Sequence, residues 1–123
     1  MSNLVVSNIS DGTTSVGTGY VVNGSAKAWV NFNGTGTVAI RDSLNIGSLT
    51  DNGTGSWNIN FTNNMANTNY AATSAIAQFS PFPIAQAYIQ STQVNYQNLN
   101  VAQPGTSDYD AAKILAHVQG DLA

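Results

Sequence analysis

The stretch Ser56-Trp57-Asn58-Ile59-Asn60-Phe61-Thr62 decides the fold class. Trp57, Ile59 and Phe61 alternate with Ser56, Asn58, Asn60 and Thr62. Successive side chains of a strand point to opposite faces, so one face is apolar and the other polar, as in a half-buried antiparallel strand. Upstream, Ala26, Ala28, Val30 and Phe32 repeat the pattern. Val38 to Ile46, Tyr70 to Phe79 and Ala87 to Tyr96 read as further strands, the last with Tyr88, Val94 and Tyr96 on one side and Ile89 on the other.

Between these runs lie Asn23-Gly24, Asn33-Gly34 and Asp51-Asn52-Gly53, which supply the positive φ angles of tight hairpins. No intervening segment is long enough for a βαβ crossover, which excludes a parallel sheet. The expected fold is all-β, an antiparallel β-sandwich over residues 25–123 with hairpin connections. Ser80-Pro81-Phe82-Pro83 interrupts the ladder and predicts a surface loop, and Asn98 to Asp108 with Pro104-Gly105 predicts another. The segment Tyr109 to Gln119 is ambiguous. Asp110 could cap a helix carrying Ile114, Leu115 and Val118, while Ala112, Ile114, Ala116 and Val118 also alternate as a strand, the reading preferred here.

Residues 1–24 differ in character. They are rich in Gly, Ser and Thr, with a thin apolar patch at Leu4, Val5, Val6 and Ile9, and read as an extended N-terminal arm that docks on another surface or on further copies. An ordinary edge strand at a frayed terminus accounts for them about equally well.

Composition narrows the function. Of 123 residues, 42% are hydrophobic and only 7% charged, at net charge −3, too apolar and too weakly charged for a disordered coil. Lys27, Lys113 and Arg41 are the only cations, so a row of phosphates cannot be neutralised and neither nucleic acid nor an anionic membrane is an expected partner. No apolar run approaches a bilayer span, and the first residues lack the pattern of a secretion signal. Without cysteine, disulfides and thiolate metal sites are excluded.

The linked blocks Ser25 to Gly36, Val38 to Asn45, Asp51 to Gly55 and Trp57 to Thr62 resemble a module common in tailed-phage structural proteins, notably tail fibres. The match runs from about Asn8 to Ala71. That resemblance implies a compact β-sandwich at or near a fibre end, homotrimeric, sometimes likened to the sugar-binding H-type lectin domain. It also implies location in the virion, contact with other phage structural proteins, and a final strand of alternating small and aliphatic residues before a glycine, matched by Ile114 to Gly120. No shaft-like repeat precedes the module, so a short fibre, tail-tip or capsid-decoration protein fits better than a full-length fibre.

Chemistry is poorly provided for. One His, six acidic residues (all Asp) and three cations offer no general base with a partner, so no enzyme activity and no cofactor are expected. His117 lies between Ala116 and Val118 on an expected strand and reads as a structural or oligomer-interface residue. Arg41 and Asp42 are a mid-strand charged pair, suited to a cross-subunit salt bridge or to a solvent-facing pair of little worth. Asp108-Tyr109-Asp110 is a weak calcium signal that a solvated loop explains better. Tyr88, Gln90 and Tyr96, with Gln93 and Asn95, could form a sugar-binding surface for a host glycan, although tyrosines packed across strands or between subunits explain them more simply.

Overall fold

The computed structural model describes residues 1–77, 86–102 and 108–123. Among the described residues ten strands and one short helix follow in the order β1 (Asn8–Ser10), β2 (Ser15–Gly17), α1 (Thr18–Gly24), β3 (Ala26–Asn33), β4 (Ala39–Leu44), β5 (Ile46–Gly53), β6 (Ser56–Phe61), β7 (Ala71–Ile76), β8 (Gln86–Thr92), β9 (Tyr96–Ala102) and β10 (Ile114–Gln119). Among the described residues every strand pairing is antiparallel. The fold is all-β, with one four-stranded sheet in the order β4-β3-β10-β7, a second in the order β5-β6-β9-β8, and the small hairpin β1-β2.

The alternation read from the sequence maps onto burial. Ala28, Val30 and Phe32 of β3 are buried, as are Trp57, Ile59 and Phe61 of β6 and Ile114, Ala116 and Val118 of β10. One core cluster joins Val30, Phe32, Ile114 and Ala116 of the first sheet to Trp57, Ile59 and Val101 of the second. Burying each large side chain contributes about 1.5–3 kcal/mol. Phe32 and Trp57 meet edge to face at 5.5 Å and 72°, a geometry the ring quadrupoles favour. A second cluster holds Ala28, Phe61, Met65, Tyr70 and Val118.

β10 settles residues 114–119 as a strand, while residues 109–113 lie outside it and Ala112, expected to share its alternation, is exposed. It is central in its sheet, with β3 on one side and β7 on the other. Two ladders and a buried face at Ile114, Ala116 and Val118 outweigh the helical spacing.

Several local expectations are corrected. Val38 to Ile46 is not one strand. Asn45 has φ 57°, a conformation Asn tolerates, and there the chain leaves the first sheet as β4 and enters the second as β5. Asn45 secures the break: its side chain donates to the Asn63 carbonyl at 3.0 Å and accepts from the Asn63 amide at 2.7 Å. Strand β5 runs through Asp51-Asn52-Gly53, and the reversal falls at Thr54-Gly55. Asn23-Gly24 ends α1 and makes no hairpin.

Ala87 to Tyr96 is also not one strand, because the chain reverses at Gln93-Val94-Asn95 between β8 and β9. The amide of Gln93 donates to the Tyr96 carbonyl at 2.8 Å. No glycine marks this turn; it is held by distant groups, since the Phe61 amide donates to Asn95 O at 2.9 Å and the Met65 amide to Val94 O at 2.7 Å. Asn98 to Ala102 belongs to strand β9, which pairs with both β6 and β8, and is not the start of a loop. The expected Ser80-Pro81-Phe82-Pro83 and Pro104-Gly105 loops lie outside the described residues.

The N-terminal arm is not extended throughout. Asp11 folds β1 onto β2 through an Asx turn, its carboxylate accepting from the amides of Thr13 (2.9 Å) and Thr14 (2.7 Å). These bonds, Thr14 first, lower the Asp11 pKa, because they favour the charged form. A seven-residue helix follows, and none of residues 1–24 is buried.

Candidate functional site: three surfaces

Since buried residues of both sheets share one core cluster, the surfaces left for function among the described residues are the faces opposite it and the N-terminal segment. On the first sheet the outer positions follow from register. Leu44 lies opposite Trp29, Trp29 opposite His117, and His117 opposite Thr73. A neighbouring row runs Asp42, Asn31, Leu115, Ala75. Directly opposed residues share a face, so Trp29, His117 and Leu115, all partly buried, form a weakly charged aromatic and aliphatic surface. Within it the side-chain oxygen of Asn31 is shielded from solvent and lacks a hydrogen-bond donor. A shallow groove follows Thr73, Ser74 and Ala75 along Leu115 and His117.

Of the three interface candidates, His117 and Asp42 therefore lie on this outer face, one row apart. Arg41 serves its own chain. Register shifts between Asn31 and Phe32, and beside that irregularity the Arg41 guanidinium donates to the Ala112 carbonyl at 2.6 Å. The Asp42 carboxylate accepts from the Ser43 amide at 2.9 Å. Trp29 and Leu115 were missed as surface residues, yet Trp29 has the opposite parity to Ala28, Val30 and Phe32, and that signal could have found it.

The outer face of the second sheet is built from amides and hydroxyls. Asn60 donates through Nδ2 to Ser48 Oγ at 3.1 Å and to Thr50 Oγ1 at 3.0 Å, and Asn52 Nδ2 donates to Asn58 Oδ1 at 2.9 Å. Tyr96 lies opposite Asn60 in register, Asn98 opposite Asn58, and Asn100 between Ser56 and Tyr88. Tyr96 is partly buried. The side chains of Tyr88 and Gln90 lie outside the described residues; backbone register relates Tyr88 to Tyr96 through Asn100, Ser56 and Asn60, whereas Gln90 falls at the bulge between Ile89 and Ser91 and has no partner in register.

The third surface is the N-terminal segment. Leu4, Val5, Val6 and Ile9, the expected docking residues, lie in one apolar hollow with Val21 and Val22 of α1. The helix residues were missed because Gly17, Gly19 and Gly24 argue against a helix there. Thr18 Oγ1 donates to Val6 O at 2.9 Å, which holds the segment before β1 against the start of α1.

Asp110 has a structural role. Its carboxylate accepts from the Gly55 amide at 2.8 Å and pins the β5–β6 turn to the segment before β10. Among the described residues no group of three His, Cys, Asp or Glu side chains could hold a metal ion, and no helix is long and apolar enough to cross a membrane. In comparisons with known proteins, no family model, curated protein or solved structure matches this chain.

Proposed function

We propose that this chain is a bacteriophage virion structural protein, a non-enzymatic, homotrimeric β-sandwich module of a fibre, tail tip or capsid decoration. The observation that carries the reading is the N-terminal segment. It is folded, yet Leu4, Val5, Tyr20 and Val22 are all at least 60% exposed. A large exposed apolar patch marks a surface that a partner covers, as expected of an assembly component. The phage assignment rests on the blocks quoted above, which supply β3, β4, β5 and β6. A role in binding and not turnover is supported by the titratable inventory and by His117, whose neighbours across the sheet are Trp29 and Thr73.

Mass spectrometry and immunolabelled electron microscopy of purified phage particles test the proposal. The protein is expected at a fixed copy number on one part of the particle, and its absence from purified particles would overturn the reading.

A second reading, recognition of a host surface glycan, is favoured by the outer face of the second sheet. An uncharged array of Asn, Ser and Thr beside Tyr96 offers donors, acceptors and a ring for stacking, the groups that sugars engage. A glycan array probed with wild type and with Asn60→Ala separates the two. Binding to one sugar class that Asn60→Ala abolishes favours the receptor role, and no binding removes it.

A further inference from the structure

We infer that the apolar surface of residues 1–22 is the contact between copies of this chain, so that the N-terminal segment, and not the outer face carrying Asp42 and His117, holds the homo-oligomer together. The inference rests on the homo-oligomeric part of the proposed function and names the surface responsible.

Four observations converge on it. Among the described residues thirteen large apolar side chains are exposed, and nine of them lie in residues 1–22; the other four, Ile40, Leu44, Val94 and Leu122, are scattered over the body. The concentration is therefore a property of this segment and not of the whole surface. Their exposures run from 119% for Met1 and 90% for Val5 down to 40% for Val16, and a concentration of this kind marks a surface that a partner covers.

Charge points to the occupant. Around a rotation axis each residue near the axis meets its own copy, so charged residues would repel their equivalents. Residues 1–24 contain one charged side chain, Asp11, at the tip of the β1–β2 hairpin, where its carboxylate is engaged by the Thr13 and Thr14 amides. A partner of opposite charge would find almost nothing to read here, and an anionic lipid surface would find no cationic side chain.

Shape supports a closed ring. A ring needs two different complementary patches on each copy. The segment carries the apolar group of Leu4, Val5, Val21 and Val22, and separately an open hollow of about 540 Å³ lined by Gly17, Gly19, Tyr20, Asn23 and Gly24.

Attachment to the body fixes the direction of the segment. Gln119 Nε2 donates to Gly24 O at 2.6 Å, and the Lys27 ammonium donates to the carbonyls of Val22 and Ser25. The end of α1 is thus tied to β3 and β10 while its apolar side chains remain free, which presents the same surface at the same angle on every copy.

The test uses the full chain. Sedimentation equilibrium of wild type is compared with Val5→Asp, Val22→Asp and, on the outer face of the first sheet, Thr73→Asp. The expected mass of wild type and Thr73→Asp is one integer multiple of 12.8 kDa, falling at least twofold to the single-chain value in Val5→Asp and Val22→Asp. Far-ultraviolet circular dichroism should stay unchanged in these variants, because no residue of the segment belongs to either core cluster. Should an Asp variant unfold, a Val22→Cys, Gly19→Cys pair in this cysteine-free chain replaces it, with inter-chain disulfides expected on oxidation and their absence counting against the contact. A monomeric wild type overturns the inference, whether the segment then docks on another virion protein or on nothing. So does an oligomer that Thr73→Asp dissociates and Val22→Asp leaves intact, although that outcome leaves the virion role standing. Loss of the virion role would come only from the particle analysis above.

Discussion

Gly55→Ala tests the account of how the β5–β6 hairpin is locked into the fold. Gly55 has φ +70°, and a Cβ added there would lie 2.5 Å from the Val101 carbonyl oxygen, 2.6 Å from the Tyr109 nitrogen and 2.9 Å from Asp108 Cβ. Two of these neighbours are backbone atoms of separate segments, so no side-chain rotation relieves the clash. The left-handed conformation alone costs an L-residue about 1–2 kcal/mol, and overpacking that displaces backbone costs about 1–3 kcal/mol more. Displacement also strains two hydrogen bonds, from Gly55 N to Asp110 at 2.8 Å and from Val101 N to Gly55 O at 2.7 Å, worth about 1 kcal/mol each. Roughly 4 kcal/mol in all is expected. Gly36→Ala is the control, since Gly36 has φ +60° with nothing within 4 Å of an added Cβ and should lose only about 1 kcal/mol.

The gap of about 3 kcal/mol corresponds to a Tm difference of about 12 °C for a domain of this size. Urea unfolding followed by tryptophan fluorescence measures it, at one protomer concentration throughout because association adds to apparent stability. If Gly55→Ala and Gly36→Ala fall within 1 kcal/mol of each other, the three-segment junction is not the constraint described here.

Phe32→Ala removes a fully buried ring packed against Trp57 and is expected to cost about 3–5 kcal/mol in the same assay; a loss under 1 kcal/mol would contradict the shared core. Asp110→Ala strips the Gly55 amide of its acceptor and should cost about 1–3 kcal/mol, with little further loss when added to Gly55→Ala because the two act at one junction; full additivity would count against that coupling. Burial pushes the Tyr70 phenol from 10.0 up to about 12, and the hydroxyl donates to the Gln93 and Tyr96 carbonyls at 3.1 and 3.2 Å. The unfolded chain releases this proton more readily, so Tyr70's contribution is complete below pH 10 and is lost as pH rises toward 12. Tyr70→Phe should flatten that part of the urea-midpoint profile between pH 9 and 12, and parallel profiles for the two proteins would refute the assignment.

Much of the core was legible in the chain itself. The alternations at Ala26–Phe32, Trp57–Phe61 and Ala112–Val118 named buried residues correctly except at their first members Ala26, half-buried, and Ala112, exposed, because a period of two combined with one buried face leaves little freedom. The exchange of strands between sheets was not legible. Nothing in Val38 to Ile46 marks Asn45 as a corner, since the bonds that hold it there come from Asn63, eighteen residues away. The Gln93–Asn95 reversal was hidden for the same reason, its carbonyls being claimed by Phe61 and Met65.

The candidate surfaces divide in the same way. Leu4, Val5, Val6 and Ile9 stood out as an apolar patch too thin for a core, but only α1 brings Val21 and Val22 beside them. His117 was visible as a lone histidine, while its position across from Trp29 depends on β10 pairing with β3, two segments some ninety residues apart. What the sequence by itself determined was the all-β class, most of the inward-facing residues and the weak electrostatics, because these follow from side-chain parity and composition. Which strands are neighbours, where the chain changes sheet and which outward residues share a surface were decided only by the tertiary structure, because each depends on hydrogen bonds between distant segments for which local sequence carries no periodic signal.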